Sequence, residues 1–426
     1  MNKNNLFIFT QFLSELGSSI TSFGIILWIN SKNPNTFIFS LLAISIFLPK
    51  ILFGIIVGSI VDRMEKKKII LLADFMAAIC SIALFILFKK DIMNIGLILI
   101  LNFIIGIFSC FQNSAKDVIY TIIFTKEEFI KLNGAISFLS GIAMLLSPIL
   151  GAILYNKIGM EKIILLDISS FIVSTVTLLA IKLKSEVIVQ EKIDYKKILQ
   201  DFKTSYLEIK KIKELKEMMI FFIFVNLFSG MTYFSLVSPL ILKRTGNNGE
   251  TLGMVNMFLG LGFILGGLTV SLVKIKFSKE KVIYMSIAFS FLLGDLILAL
   301  GHKEIFWYIG AFFASYFIPF SDANKAFIWQ EKIPLENRGK IYAFRTTFES
   351  LSRPLGMLLG GIIVEKILRK FVSSNRELVS QILINMLGAE ISLLFIFTGS
   401  FGFLVCLYSI FKILNKEKEN IISLVD

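Results

Sequence analysis

The sequence predicts an all-α membrane protein with twelve transmembrane helices in two six-helix bundles. Three observations carry that prediction. The 426 residues are 55% hydrophobic, with 43 Phe and only 18% charged residues, more apolar surface than a soluble domain of this length can hide. Apolar runs long enough to cross a bilayer, about 18 residues or more, recur along the whole chain. One long charged segment, 184–217, divides six such runs from six others. Only helices fit, because lipid offers no partner for an open strand edge.

The first run, LFIFTQFLSELGSSITSFGIILWI, begins at Leu6. It is too long for a signal-peptide core and no small-residue cleavage site follows, so it reads as a retained span over 6–29. Span two, 37–61, runs into GSIVDRMEKKK, with Gly54 and Gly58 on one face that lets a neighbouring helix approach closely. Spans three to six cover 69–88, 94–120, 132–155 and 161–183, which closes an N-terminal bundle at 1–183. In segment 184–217, Ile198, Phe202, Tyr206, Ile209 and Leu215 fall near one helical face with lysines opposite. That pattern suits an amphipathic helix on the inner membrane surface; a solvated charged linker is the alternative. Spans seven to twelve cover 218–242, 250–273, 281–301, 304–324, 341–363 and 386–412, within a C-terminal bundle at 218–426.

Charge orients the chain. Lysines and arginines crowd 63–68, 182–216, 274–281 and 325–345, all on one side if the spans alternate, which puts both termini in the cytoplasm of a multi-pass cell-membrane protein. The outer loop 364–385 runs against that bias with four positive residues. The net charge of +13 therefore belongs to membrane loops rather than to a nucleic-acid partner. Cys80, Cys110 and Cys406 lie in apolar runs and suggest packing rather than a disulfide framework. His302 is the only histidine, so no His-based metal site is expected. No cofactor motif, ATP-binding GxxxxGK[ST] or nucleophile–base constellation occurs, so an enzyme reading finds no support.

The two halves echo each other. EEFIKLNG precedes the span with SPILGA, and PLENRG precedes the span with RPLGMLLGG, so Pro148 and Pro354 occupy corresponding spans, five and eleven. Paired interrupted helices are the mark of transporter repeats. At the inner end of span two, Asp62 can cap a partner helix or pair with a base, while Arg63 and the lysines meet headgroups. Such a latch suits a chain that opens and recloses.

On these residues the chain resembles the major facilitator superfamily. GSIVDRMEKKK is similar to that family's loop between spans two and three, G-x-x-x-D-R-x-G-R-[RK]: Gly58, Asp62, Arg63, Lys66 and Lys67 match, and Glu65 replaces the second glycine. SPILGA resembles the antiporter signature G-P-x-x-G-G through Ser147, Pro148 and Gly151, with Ser147 and Ala152 as substitutes. FLPKILFGIIVGSIVDR, IILLADF, LLDISSFIVST and WQEKIPLENRGK resemble the macrolide-efflux and siderophore-export branch. Asn102 stands about where many family antiporters carry a span-four arginine.

The resemblance implies the major facilitator fold, with spans one, four, seven and ten lining a cavity. Polar stripes fall on those spans: Gln11, Ser14, Glu15, Ser18 and Ser22; Asn102, Gly106, Ser109, Asn113 and Lys116; Asn226, Ser229 and Tyr233; Ser315, Asp322 and Lys325. Each stripe alone could be helix–helix glue; four together favour a substrate path. Ionisable residues inside the spans are costly and need partners or roles. They are Glu15, Lys50, Asp74, Lys116, Asp117, Asp167, Asp295, Arg345, Glu349 and Arg353. Glu15 and Lys50 lie at similar depth in adjacent spans and suggest a pair. Arg345, Glu349 and Arg353 are spaced by four on one face, either a self-neutralising ladder or an anion site. Asp74 and Asp167 match family positions and read as structural. Glu15 and Asp295 are the proton-coupling candidates.

The resulting expectation is a monomeric, proton-coupled exporter of a hydrophobic small molecule, drug or macrolide-like, in contact with membrane lipids. A siderophore exporter or nutrient importer of the same fold is the alternative; a non-transporting receptor or scaffold would need neither the stripes nor the latch.

Overall fold

The computed structural model describes residues 3–32, 35–61, 64–123, 126–180, 195–273, 277–334, 337–384 and 387–422. Asp62, Arg63 and the Asp117 side chain lie outside that description. Among the described residues there is no strand. The helices divide between two compact units: Met1–Tyr195 with Asn247–Gly253, and Lys196–Gly246 with Met254–Asp426.

The first unit contains, in order, α1 (Lys3–Lys32), α2 (Thr36–Val61), α3 (Lys66–Lys89) and α4 (Ile95–Ile123). Next comes α5, 55 residues over Lys126–Ala180. It covers both spans expected over 132–183, and the chain turns between them at Gly159, whose φ of 77° and ψ of 169° only glycine adopts readily. α1 packs along α5, and α4 packs on α2 and α3. Phe7, Val57, Ile70, Ala115, Ile119 and Leu178 meet in one buried cluster, which ties the ends of these helices together.

In the second unit, α6 (Tyr195–Lys211) is the amphipathic segment. Its aromatic face meets protein as well as its surroundings: the Phe202 and Tyr206 rings lie 5.6 and 6.4 Å from Phe344. α7 (Lys213–Met231) and α8 (Tyr233–Arg244) form one broken span, interrupted at Thr232 (φ −116°, ψ −81°). α9 (Gly249–Leu272), of which the residues from Met254 on belong to this unit, follows a turn with positive φ at Gly246 and Asn247. α10 (Lys279–Phe289) continues through a π-turn at Ser290–Asp295 into α11 (Leu296–Leu300). α12 (Glu304–Tyr316) and α13 (Ile318–Lys332) meet at Phe317. α14 (Arg338–Ile362) runs through a second π-turn, Ile363–Leu368, into α15 (Arg369–Ser374). The short α16 (Arg376–Ile382) precedes α17 (Ala389–Ile422).

Among the described residues, nine helices are long and apolar enough to cross a membrane. α14 is interrupted by Arg345, Glu349 and Arg353, and α12 is too short alone, so composition does not mark them. The equivalence of Pro148 and Pro354 has a packing counterpart. Within its own unit, each interrupted helix lies against the helix that opens that bundle: Gly151 of α5 abuts Phe23 of α1, and Gly356 and Gly360 of α14 abut the α7 backbone at Leu227 and Met231.

Candidate functional site

α1 and α4 form the walls of a cavity of about 290 Å³ inside the first unit. α1 contributes Gln11, Glu15, Ser18 and Ser22; α4 contributes Asn102, Gln112, Asn113 and Lys116; α2 adds Lys50. Ile46, Ile105, Phe108 and Phe171 supply apolar wall. A second cavity of about 180 Å³ reaches toward the start of α1, past Ile8 and Phe12, and toward Tyr120, Leu139 and Ser140. The two share Gln11, Glu15, Asn113 and Lys116. From Ile8 to Ser22 they extend about 21 Å at 1.5 Å per residue, most of a bilayer's hydrocarbon depth.

Several lining groups also hold helices together. Gln11 Nε2 donates to Ser174 Oγ at 2.6 Å, and Ser18 Oγ donates to Asp167 Oδ1 at 2.9 Å, both from α1 to α5. Ser81 of α3 also donates to Asp167, at 3.4 Å. Ser22 donates to the Ser18 carbonyl at 2.9 Å. Gln112, absent from the polar stripes, donates to buried Asp74, which also accepts from Thr175 at 3.5 Å. Asp74 and Asp167 thus sit under the wall as acceptors.

Glu15 and Lys50 differ from the expected pair. Both are exposed and line the same cavity, yet no ion pair joins them among the described residues. Each carries its charge into the cavity instead of cancelling the other's. The lining is also more polar than a purely apolar substrate requires.

In the second unit, α7, α13 and α14 bring the other charges together. Lys325 lies 3.4 Å from Asp322 and 3.6 Å from Glu349, and Arg345 lies 3.9 Å from Glu349. Of the three residues spaced by four, Arg353 interacts with Glu349 electrostatically but forms no ion pair with it among the described residues. Arg353 turns to α7, where its Nη2 donates to Asn226 Oδ1 at 2.7 Å, and its guanidinium lies over Phe234. Aromatic faces cover the remaining cations: Lys325 over Phe222 at 3.8 Å, and Arg345 over Trp329 at 4.6 Å.

Asp295 is fully buried at the end of the first π-turn and has neighbours the sequence did not reveal. Thr398 of α17 donates to its Oδ2 at 3.5 Å, and Tyr233 of α8 interacts with the carboxyl electrostatically. The Tyr233 hydroxyl is therefore turned into the helix packing. Ser315 donates to the Leu259 carbonyl at 2.6 Å and joins α12 to α9.

Of the loop motif, Gly58 falls in α2, with its surroundings outside the described residues. Lys66 and Lys67 are not headgroup contacts alone. Lys66 is buried, and Lys67 Nζ donates to the Leu179 carbonyl at 3.0 Å. Ser147 donates to the Ala143 carbonyl at 2.5 Å beside Pro148, which removes a ladder hydrogen bond from α5. Cys80, Cys110 and Cys406 are free and buried.

Comparisons with known proteins agree with this architecture. The family model described as Major Facilitator Superfamily matches residues 7–357. Macrolide efflux protein A of Streptococcus pyogenes is 22% identical over 373 residues, 84% of this chain and 88% of that protein. The uncharacterized MFS-type transporter YkuC of Bacillus subtilis (strain 168) is 27% identical over 328 residues, 73% of this chain and 74% of that one. The crystal structure of the nucleoside transporter NupG shares the fold with a TM-score of 0.72 at 11% identity, over 96% of this chain and 98% of that one. A bacterial homologue of the iron transporter ferroportin, in its inward-facing state, gives 0.67 at 11% identity, over 96% and 98%. By the family model's span over most of its length, the chain belongs to the major facilitator superfamily of membrane transporters.

Proposed function

We propose that this transporter expels a hydrophobic or amphiphilic small molecule, macrolide-like in size and character, from the cytoplasm by alternating access coupled to inward proton flow. The observation that carries the reading is the position of Glu15, exposed where the two stacked cavities of the first unit overlap. A coupling carboxyl must be reached in turn from both directions, and this one borders both chambers. In the deprotonated state it attracts substrate, and protonation releases it. Similarity to Macrolide efflux protein A supports the direction and the substrate type.

In this reading both termini are cytoplasmic, residues 1–183 and 218–426 are the moving bundles, and segment 184–217 joins them. The 58–67 motif acts as the inner latch. Export of a more polar molecule is the second reading, favoured by Lys50 and Lys116 on the cavity wall. The test is substrate-stimulated proton movement in proteoliposomes over a panel of macrolides and other amphiphiles. Proton release coupled to uptake of a panel member supports the proposal. Facilitated movement indifferent to the proton gradient removes the coupling, and silence across the panel removes the export reading.

A further inference from the structure

We infer that the transported molecule is a zwitterionic amphiphile, with a protonated amine that docks on Glu15 and an acidic group that docks on Lys50. The inference rests on the export reading above and specifies the substrate class for the same cavity.

Glu15 of α1 and Lys50 of α2 are opposite charges in the lining of one cavity of about 290 Å³. Both are exposed, and among the described residues neither is ion-paired to the other. The third charge on the wall, Lys116, already interacts electrostatically with buried Asp74. Gln11, Ser18, Ser22 and Gln112 bond within the protein. The charges left to read a ligand are therefore Glu15 and Lys50, beside apolar wall from Ile46, Ile105, Phe108 and Phe171.

A ligand that fills the cavity displaces the water around both charges. An uncharged apolar molecule replaces neither interaction, and an unpaired charge left in a dry site is strongly unfavourable. A monocation satisfies Glu15 and leaves Lys50; a monoanion does the reverse. A molecule with both charges satisfies both and still presents an apolar body to the aromatic and aliphatic wall. The amine then occupies the place a proton takes on Glu15, which makes substrate and proton exclusive there.

The probes are matched sets of four on several arylalkyl scaffolds: a free amino acid (zwitterion), its methyl ester (monocation), its N-acetyl derivative (monoanion) and the uncharged N-acetyl methyl ester. Each is scored by thermal shift of the wild-type protein in detergent and by proton-coupled uptake in proteoliposomes. The expected result is a preference of about tenfold or more for the zwitterion over both single-charge relatives, the discrimination of a site that loses a required partner. Lys50→Met should abolish the preference over the ester while ester transport persists, and Lys50→Arg should retain it. Equal handling of zwitterion and ester by the wild type overturns the inference, and so does preference retained in Lys50→Met. Proton-coupled transport confined to uncharged or monocationic members does the same but leaves the export reading intact. No shift and no transport for any member counts against both. The wild-type thermal shifts decide the matter even if the variants fail to fold.

Discussion

Lys67 on α3 donates from Nζ to the Leu179 carbonyl of α5 at 3.0 Å. A hydrogen bond of this kind contributes about 0.5–1.5 kcal/mol net, and less when the groups are exposed. Lys67→Met should therefore lower stability in detergent by about 0.5 kcal/mol, and Lys67→Arg should not. If the loop after α2 is a latch, Lys67→Met and Asp62→Asn should both slow transport with membrane insertion intact. Wild-type transport by well-expressed mutants would discount the latch.

Glu15→Gln should abolish gradient-driven efflux yet permit downhill exchange. The substitution keeps the shape and hydrogen-bonding capacity of a group that lines both cavities while it removes the titratable charge. The measurement is uphill efflux against counterflow in the same proteoliposomes. Uphill, pH-dependent efflux in the mutant would move coupling to another carboxyl.

Asp295→Asn should leave coupling intact and act on stability. The carboxyl is fully buried near Tyr233 and Thr398 and is not among the residues that line the two cavities, and the amide is nearly isosteric. Loss of proton-stimulated transport at normal thermal stability would show that Asp295 takes part in the cycle after all.

The Arg353–Asn226 hydrogen bond should couple α14 to α7. A double-mutant cycle with Arg353→Met and Asn226→Leu is expected to give an interaction of about 1 kcal/mol in detergent unfolding, the usual size for polar contacts between membrane helices. Additive effects would show that Arg353 is held by the Phe234 face and the nearby carboxylates without Asn226.

Gly360→Val should strongly destabilise the second unit. A Cβ built at Gly360 lies 2.5 Å from the Met231 carbonyl oxygen, so the backbones of α14 and α7 would have to part, at a cost of about 1–3 kcal/mol. Gly267→Ala is the control, because nothing lies within 4 Å of a Cβ there. Equal melting temperatures for the two variants would contradict the close approach.

The chain by itself determined the fold class, the family and the run of the helices, because each is written in local properties. Hydropathy over a bilayer's length marks a span, and the three- and four-residue spacing of Gln11, Glu15, Ser18 and Ser22 marks a face. The stripe on α4 likewise pointed to the cavity that the structure contains. The spans over 132–155, 161–183 and 341–363 hold in the structure, although two features there are not written in local composition. α14 carries Arg345, Glu349 and Arg353 in its span, where Lys325 of α13 pairs with Glu349 and Asn226 of α7 accepts from Arg353, and the turn at Gly159 is a backbone angle that hydropathy does not register.

Only the tertiary structure decided what each polar group does. Ser18 and Glu15 lie one turn apart on the same stripe, yet Ser18 bonds Asp167, 149 residues away, while Glu15 faces the cavity. Arg353 belongs by spacing to Glu349 and by contact to Asn226, 127 residues away. Asp295, solitary in sequence, meets Thr398 and Tyr233. A side chain's spacing along its own helix constrains its direction. Its partner comes from another helix, and packing of glycine faces such as Gly356 and Gly360 on α7 sets which helix that is.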